Sequence, residues 1–545
     1  MVLDSMSRKR ERLARRDVIK YGGALGMGGI FAGCLGDDDT DGTPTPDQKP
    51  DSFVYATSQS PASIDPARSL DELEGIIATN VYDSLARYSA DFPPEVVPAI
   101  ATDWEIDEGG EIFTFDLRDD VVFHNGDELT AEDVVFSVER MMEIRAGPSW
   151  MWDGTMEPDA ATALGDYQVE IELNHTYAPF EATLPWLFIV NKDQVLEHEE
   201  DGDLGGDWLE DNDAGSGPYR LNEYDRGQTI ELGRHDDWWG EFAGDTFEQV
   251  DIEIGREVST TVGLMEAGDA HLTDRWLPVT LYDDLDESDI VETLETATFN
   301  TYYVFLHSQR PPLDDVHVRR AISYAFNYET AMDILGTDDP FLSPLPEGME
   351  YHTTDGVTVY EQDLEAAEAE LEQSEYDLED IEFNYAYQPA IEANSDMGLM
   401  MQDELGDVGI TVNLEEMTWT AMVENSTSLE TAPDSFPLWG LIEYADPDAY
   451  MWSHYHSSQI NTFLNGGKYD NEHVDQLLVD GRRTIDDAQR EQIYTELQQI
   501  ISADAPAIFV ANDMTRYSIS TAVSGFQDNG IMGYTHQFQN IEFSG

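Results

Sequence analysis

The sequence contains few side-chain arrangements that could perform catalysis or bind a metal. The motifs G-x-S-x-G, H-E-x-x-H and the Walker A loop do not occur among its 545 residues. His454 and His456 could present two imidazoles, but residues two apart share a face only on a strand, and no third ligand is evident. Carboxylates are so abundant that a glycosidase-type pair cannot be told from surface charge. The sequence predicts no enzyme, no metal and no cofactor, and an extracellular hydrolase is the alternative.

The net charge of the chain excludes one large class of partners. With 27 Lys and Arg against 113 Asp and Glu, the formal charge is -86, so no face of the molecule would readily attract a phosphate backbone. Such charge repels itself unless concentrated salt screens it, because the Debye length falls to about 3 Å at 1 M. The composition therefore predicts a protein that folds in high salt and does not bind nucleic acid.

The first 33 residues have the pattern of an export signal. Seven basic residues fall within the first 20 positions, and an uncharged, glycine-rich run from 21 to 36 follows. The run is too weakly apolar for a stable membrane span, which takes about 20 apolar residues. Residues 15–20 (RRDVIK) resemble the twin-arginine signal, and 31–34 (FAGC) resemble a lipobox, in which Cys34 is lipidated. Since Cys34 is the only cysteine, the mature chain has no disulfide.

The remaining chain reads as a mobile tether followed by a mixed α/β protein. Residues 34–50 are acidic and rich in Pro and Thr, which predicts an extended tether. Residues 53–56 and 112–117 have strand patterns, and Thr130 begins a capping box before apolar residues at helical spacing. Helices are also predicted over 316–326, 364–371 and 488–501. No repeat of 20 to 50 residues is visible, so a solenoid is not supported.

A series of short motifs, in one order along the chain, carries a family resemblance. They are 81–85 (VYDSL), 98–105 (PAIATDWE), 113–126 (FTFDLRDDVVFHNG), 129–134 (LTAEDV), 215–219 (GSGPY), 311–321 (PPLDDVHVRRA) and 445–447 (ADP). Together they resemble the signature of family 5 solute-binding proteins, the extracytoplasmic receptors of ATP-binding cassette (ABC) importers for dipeptides, oligopeptides and nickel. With the acidic composition and the signal, the chain is similar to a haloarchaeal lipoprotein of this family. One departure is His271, where the family usually places an acidic residue.

The resemblance implies an α/β, two-lobed periplasmic-binding-protein type II fold with an additional inserted domain (cluster C), which closes over its ligand by a hinge motion. The expected segments after the signal (1–33) and tether (34–50) are lobe I at 51–85, 206–298 and 508–545, the inserted domain at 86–205, and lobe II at 299–507.

The resemblance also implies which residues hold the ligand. Trp419 and Trp439 match aromatic pocket positions of peptide-binding relatives, and Tyr302 and Tyr303 match an aromatic pair where the chain crosses between lobes. Rigid aromatic walls give contact area at little cost in rotamer entropy. Glu443 falls where such relatives place an aspartate that pairs with the α-ammonium group of the ligand.

The other end of a peptide has no obvious anchor in lobe II. Between Ala321 and Gly467 there is no Lys or Arg, so a ligand carboxylate would have to meet water, backbone amides or lobe I residues such as Arg275. The sequence therefore does not decide between a dipeptide, an oligopeptide and another neutral or cationic ligand, and an oligosaccharide and a nickel complex are further alternatives.

The sequence as a whole predicts a monomeric receptor of an ABC importer, lipid-anchored at the extracytoplasmic face of the membrane. Its expected partners are a peptide-like solute, the permease subunits of the importer, and the membrane through the lipid anchor.

Overall fold

The computed structural model describes residues 52–69 and 71–544. The strands, in chain order, are β1 (Phe53–Ala56), β2 (Ala86–Tyr88), β3 (Val96–Pro98), β4 (Ala101–Ile106), β5 (Ile112–Leu117), β6 (Ala161–Gly165), β7 (Gln168–Glu172), β8 (Tyr219–Asp225), β9 (Thr229–Arg234), β10 (Gln249–Glu253), β11 (Leu272–Thr273), β12 (Val291–Thr296), β13 (Thr301–Leu306), β14 (Glu382–Tyr387), β15 (Thr411–Glu416), β16 (Ser435–Gly440), β17 (Ala507–Asn512), β18 (Thr515–Ser520), β19 (Val523–Ser524) and β20 (Glu542–Phe543).

The α-helices lie between these strands. They are α1 (Glu72–Val81), α2 (Ala131–Ile144), α3 (Phe180–Thr183), α4 (Lys192–Glu197), α5 (Gly206–Leu209), α6 (Val258–Ala267), α7 (Val279–Leu285), α8 (Val316–Ala325), α9 (Tyr328–Leu335), α10 (Leu364–Leu371), α11 (Glu392–Asp407), α12 (Trp419–Asn425), α13 (Pro447–Tyr455), α14 (Glu472–Arg483) and α15 (Asp487–Asp504).

The local sequence patterns predicted these elements correctly where they were strong. The strands predicted at 53–56 and 112–117 are β1 and β5, and the three later predicted helices are α8, α10 and α15. Helix α2 begins as its capping box requires, because the Thr130 and Asp133 side chains each satisfy a backbone N–H of the other. The period of the apolar residues therefore carried enough information for these segments.

Three main sheets divide the described chain into three parts. Lobe I contains a seven-stranded sheet of order β12-β18-β11-β1-β10-β9-β8, and lobe II a five-stranded sheet of order β15-β14-β16-β13-β17. The inserted domain contains a four-stranded sheet of order β4-β5-β7-β6. Because β13 and β17 are buried along their whole length, the lobe II sheet must be covered on both faces. This is the expected α/β class.

Helices cover the two faces of the lobe II sheet. Residues of α8 and α11 pack on one face with Tyr302 and Val304, while residues of α14 and α15 share a core with Tyr303 and Phe305 on the other. Successive strand residues point to opposite faces, so β13 contributes alternately to two cores. The strand is thereby fixed in register from both sides.

Strand β17 lies in a different lobe from the one expected for it. The sequence placed the return to lobe I at 508, whereas β17 pairs antiparallel with β13 in the lobe II sheet through Asn512. The chain joins the lobe I sheet only at β18, which begins at Thr515. The physical reason is the uninterrupted apolar run from Ala507 to Ala511, which is buried beside β13.

Within 52–69 and 71–544, no helix is long and apolar enough to cross a membrane. Cys34, the signal and the tether lie outside the described residues.

Candidate functional site: the cleft between the two lobes

Two neighbouring crossings of the chain connect the lobes. Residues 297–300 lead from β12 to β13, and residues 513–514 lead from β17 to β18. The crossings run side by side, since the Asp513 amide donates to the Asn300 carbonyl (2.8 Å) and the Asn300 side chain donates to the Thr515 hydroxyl (3.0 Å). We call these two segments the hinge, because few-residue crossings of this kind can absorb the backbone rotation of domain closure.

The strand ends that could hold a ligand lie on the hinge side of both sheets. Gly440 at the end of β16 pairs with Thr301 at the start of β13, so the carboxyl ends of the parallel strands β14, β15 and β16 face the hinge. In lobe I, β11 is antiparallel to β18, so β11 and its parallel neighbour β1 also end where β18 begins. We call the space between these two edges the cleft. Ligands of open α/β sheets bind at the carboxyl ends of their strands.

On the lobe I side, Asp274 holds the loop that follows β1. Its Oδ2 atom accepts hydrogen bonds from the Thr57 hydroxyl (3.0 Å), the Ser58 amide (2.6 Å) and the Ser58 hydroxyl (2.7 Å). Asp274 is buried, so these contacts fix the loop at the cleft edge.

Glu72 organises the next part of this edge. Its carboxylate accepts from Gln59 Nε2 (2.7 Å) and Trp276 Nε1 (2.9 Å), and it forms an ion pair with Arg275 (Nε to Oε1, 2.8 Å). Trp276 remains 45% exposed. The Nη2 atom of Arg275 is buried and has no hydrogen-bond partner among the residues that the structure describes. Glu72 thus already neutralises the arginine that the sequence offered for a ligand carboxylate.

On the lobe II side, Trp419 is the most accessible of the predicted ligand residues. It is the first residue of α12, directly after the cap Thr418, whose hydroxyl accepts from the Ala421 amide. The indole is 42% exposed and packs edge-on against Phe463, with ring centroids 5.4 Å apart. Its position after β15 places it at the cleft edge, where it can offer an aromatic wall.

Tyr302 and Trp439 lie opposite each other on β13 and β16. Their rings meet edge-on at 4.6 Å. Tyr302 is fully buried and its hydroxyl donates to Asn394 Oδ1 (2.8 Å), so in this conformation Tyr302 presents no surface to a ligand. Trp439 is half-buried, and its side chain lies close enough to the carboxylate of Asp513 to favour the ionised form of that group. Of this pair, Trp439 is therefore the residue that faces the hinge.

Tyr303 lies on the opposite face of β13 and is also buried. Its hydroxyl is hydrogen-bonded to Nε2 of His454, whose Nδ1 lies 2.7 Å from the Tyr450 carbonyl. Burial lowers the pKa of His454 to about 4, so the imidazole is neutral. The neutral ring then donates from Nδ1 to that carbonyl and accepts at Nε2 from Tyr303. Tyr303 is therefore held in the core of lobe II beside α13.

The two histidines considered for a metal are directed apart. His454 is buried in α13, whereas His456 follows the helix and stacks on Trp452 at 3.7 Å. Within the described ranges, no cluster of three or more His, Cys, Asp or Glu could hold a metal ion.

Glu443 follows β16 by three residues and is half-buried. Burial raises the pKa of its carboxyl to about 7. Apart from its own backbone amide, the carboxylate has no hydrogen-bond or ion-pair partner in the part of the chain that the structure describes. A half-buried carboxylate without a counter-ion is costly, and a cation would relieve that cost.

The backbone around Glu443 is held by the rest of the molecule. Trp186 Nε1, from the inserted domain, donates to the Glu443 carbonyl, and the Met532 amide donates to the Ile442 carbonyl (2.9 Å). The Ala445 amide donates to the Tyr88 hydroxyl (3.2 Å). The segment that presents Glu443 is thus bonded to parts of the chain outside lobe II.

Two residues of the site, Asp513 and Trp186, were missed by sequence reasoning. Asp513 and Trp186 act through partners far along the chain, although the position of Asp513 just after a buried strand was a usable signal. Lys468, one residue beyond the stretch without Lys or Arg, is buried and donates to the carbonyls of Ser426 (2.6 Å), Ile460 (2.8 Å) and Thr462 (2.8 Å). Lys468 is therefore engaged and does not supply a carboxylate anchor.

His271, the departure from the family pattern, has a local structural role. Its Nδ1 atom accepts from the Val54 amide (2.9 Å), and its ring stacks on Phe53 at 5.6 Å. Burial lowers its pKa to about 4, so it is neutral at pH 7. It secures the start of β1, at the end of the strand remote from the hinge.

A cavity of about 620 Å³ lies elsewhere on lobe II. It is bordered by the start of α9, the outer strand β17 and the segment around Tyr360, and none of the predicted ligand residues lines it.

The fold and the cleft define a two-lobed binding protein, in which two α/β lobes joined by paired crossings enclose aromatic and acidic side chains. The family model of the bacterial extracellular solute-binding proteins, family 5, matches residues 95–462, and the chain belongs to this family. It is thus a solute-binding protein.

Individual proteins extend this match to nearly the whole chain. The probable D,D-dipeptide-binding periplasmic protein of Escherichia coli is 27% identical over 492 residues, which cover 88% of this chain and 92% of that protein. The solved structure of a Helicobacter pylori periplasmic binding protein in complex with the peptide STSA has a TM-score of 0.76 at 24% identity and covers 90% of this chain and 98% of its own. A Listeria monocytogenes ABC transporter substrate-binding protein reaches a TM-score of 0.81 at 23% identity, covering 91% and 99%.

Proposed function

We propose that this protein captures a peptide-like solute in the cleft and delivers it to the permease of an ABC importer. The observation that carries the proposal is the carboxylate of Glu443, which is half-buried at the cleft edge without a cationic partner among the described residues. The α-ammonium group of a peptide would supply that partner and form charge-assisted hydrogen bonds. Peptide-binding relatives and a neighbour solved with a peptide support this choice of ligand class.

Trp419 and Trp439 would provide the aromatic walls of the ligand site. Trp419 is exposed enough to contact a ligand directly, and Trp439 lies beside the hinge. Tyr303, and Tyr302 on the other face of the strand, would act by packing beneath these walls. This division of roles follows from the alternation of side chains along β13.

The experiment that tests the function compares a dipeptide with its N-acetylated form. Calorimetry on ligand-free protein should show binding of Ala-Leu and a loss of at least tenfold in affinity for N-acetyl-Ala-Leu, because acetylation removes the charge that pairs with Glu443. Equal affinity for the two compounds would dismiss the proposed role of Glu443. Hydrolysis of Ala-Leu would instead favour an extracellular hydrolase.

The N-terminal part of the proposal concerns location. Residues 1–33 would be a twin-arginine signal, Cys34 the lipidated N-terminus, and 34–50 the tether of a monomeric receptor at the outer face of the membrane. Lipid anchoring is expected to hold the protein in the membrane fraction. The change Cys34→Ser should release it into the medium, whereas unchanged membrane association of this variant would count against the anchor.

The domain limits are proposed on the sheet membership of the strands. Lobe I would comprise about 51–85, 206–298 and the chain after 512, the inserted domain about 86–205, and lobe II about 299–512.

A further inference from the structure

Asp513 occupies a special place in the hinge. It is the first residue after β17, and its backbone is bonded on both sides, by its amide to Asn300 (2.8 Å) and by its carbonyl to the Thr298 hydroxyl (3.0 Å). The backbone is therefore fixed, while the half-buried carboxylate forms no ion pair with a described residue and has the side chain of Trp439 close enough to favour its ionised form. An ionised carboxylate can accept about four hydrogen bonds, so most of this capacity is unused among the residues that the structure describes.

The nearest cations do not neutralise Asp513. Arg275 and Arg516 both attract its charge. Arg275, however, forms its ion pair with Glu72 (2.8 Å), and Arg516 forms one with Glu295 (2.8 Å) and also donates to the Gly336 carbonyl (2.6 Å). In keeping with this, burial raises the pKa of the Asp513 carboxyl to about 6.

The indole beside Asp513 is well positioned. Trp439 packs edge-on against the buried ring of Tyr302 at 4.6 Å, and Tyr302 is itself held by its hydrogen bond to Asn394 (2.8 Å). An indole face and a carboxylate that are side by side recognise a cation through two terms, a cation–π contact and an ion pair. The negative charge of the carboxylate also disfavours an anionic group at this position.

We infer that Asp513 and Trp439 form a second, cation-accepting subsite, so that the preferred ligands carry a basic side chain in addition to their α-ammonium group. This inference rests on the proposed function, in which Glu443 pairs with the α-ammonium group. Glu443 lies four positions after Trp439, which limits the distance between their Cα atoms to about 14 Å. The flexible four-carbon stem of a lysine side chain lets one small peptide reach towards both subsites.

The test uses peptide pairs that differ only in charge. Lysyl-leucine is compared with norleucyl-leucine, and leucyl-lysine with leucyl-norleucine, because norleucine keeps the length of the stem without the ammonium group. By calorimetry, the wild-type protein should bind the better lysine peptide at least about tenfold more tightly than its norleucine counterpart, the effect of one charge-assisted contact.

Two variants assign that preference to the subsite. Asp513→Asn should abolish the preference for lysine, so that each lysine peptide and its norleucine counterpart bind the variant with affinities within about twofold of each other. Asp339→Asn is the matched control, since Asp339 is also half-buried and hydrogen-bonded, by Asn512 Nδ2 (3.2 Å), and should retain the preference.

The outcomes distinguish a failure of the second subsite from a failure of the proposed function. Equal wild-type affinity for charged and uncharged peptides would overturn the second subsite and leave the peptide receptor intact. A preference that persists in Asp513→Asn would also overturn it, because the charge would then be read elsewhere. If none of the four peptides binds, the proposed function fails, and the inference fails with it.

Discussion

Glu443 should have opposite effects on stability and on ligand binding. In the ligand-free protein the pKa of its carboxyl is about 7, against an ordinary value of 4.5. The folded state therefore binds this proton more tightly than the unfolded state, and its stability falls as the pH rises from about 4.5 to 7. The gap between these two pKa values corresponds to at most about 3 to 4 kcal/mol, since one unit is about 1.4 kcal/mol. Solvent reaching this half-buried group lowers the figure.

The change Glu443→Gln removes this cost. At pH 8 the ligand-free variant should be more stable than the wild-type protein by about 1 to 3 kcal/mol, and near pH 4 the two should be equal. For a cationic ligand the order reverses, because the variant cannot form the ion pair and should bind at least tenfold more weakly at pH 8.

The assays are urea denaturation of ligand-free protein at both pH values and calorimetric titration with Ala-Leu at pH 8. Glu415→Gln provides a control, because Glu415 lies exposed near the same end of the lobe II sheet. This control should change neither quantity by more than about 0.5 kcal/mol. A Glu443→Gln protein that is less stable than the wild type at pH 8 would refute the reasoning.

Three further predictions concern the support of Glu443 by Trp186, the effect of pH on stability and the effect of salt on stability. Trp186→Phe keeps an aromatic ring but removes the N–H that donates to the Glu443 carbonyl, so it should weaken Ala-Leu binding several-fold. Trp152→Phe is the control, because the N–H of Trp152 donates to Thr183 (2.8 Å) inside the inserted domain, and it should leave the affinity unchanged. Equal effects of the two changes in calorimetry would contradict a role of Trp186 in presenting Glu443. His536 is buried among aromatic rings, and burial lowers its pKa to about 3. Because the imidazole becomes protonated in the unfolded chain but not in the folded one, a fall in pH from 7 to 5 should lower the free energy of unfolding by about 2 kcal/mol. In urea denaturation, the His536→Phe variant should lose about 2 kcal/mol less stability than the wild-type protein over this pH interval. Identical pH profiles of the two proteins would contradict the lowered pKa of His536. Since the formal charge is -86, the midpoint of thermal unfolding should fall steeply as salt is diluted below about 1 M, and full stability in dilute buffer would reject adaptation to salt.

Much of the fold was predictable because its signals are local. The capping box at Thr130 and the apolar periods of α8 and α15 depend on residues within one or two turns, and the structure contains these helices. The family motifs also predicted the type of fold, because they follow one another in the family's order along most of the chain.

The separation of Tyr302 from Tyr303 follows from the strand that contains them. Adjacent residues of a strand point to opposite faces, so the two could not both line one surface. Recognising β13 as a strand buried on both faces would have shown that each tyrosine packs in a core.

Other features of the site depend on long-range contacts. Trp186 and Glu443 are 257 residues apart in sequence, and Asp513 depends on Asn300 across the paired crossings of the hinge. No periodicity reports such a pair, because each partner has an unremarkable local pattern. The placement of β17 likewise depended on which sheet could bury both of its faces.

The central claim is that the two lobes close around the ligand, and the distance between the lobes tests it directly. Asp289 precedes β12 and Glu382 begins β14, so both exposed residues lie at strand ends remote from the hinge, where closure moves them most. Since Cys34 is the only native cysteine, cysteines introduced at these two positions in a Cys34→Ser chain can be spin-labelled selectively. Saturating Ala-Leu should replace a broad distribution of label distances with a shorter, narrower one. An identical distribution with and without saturating peptide would contradict the account.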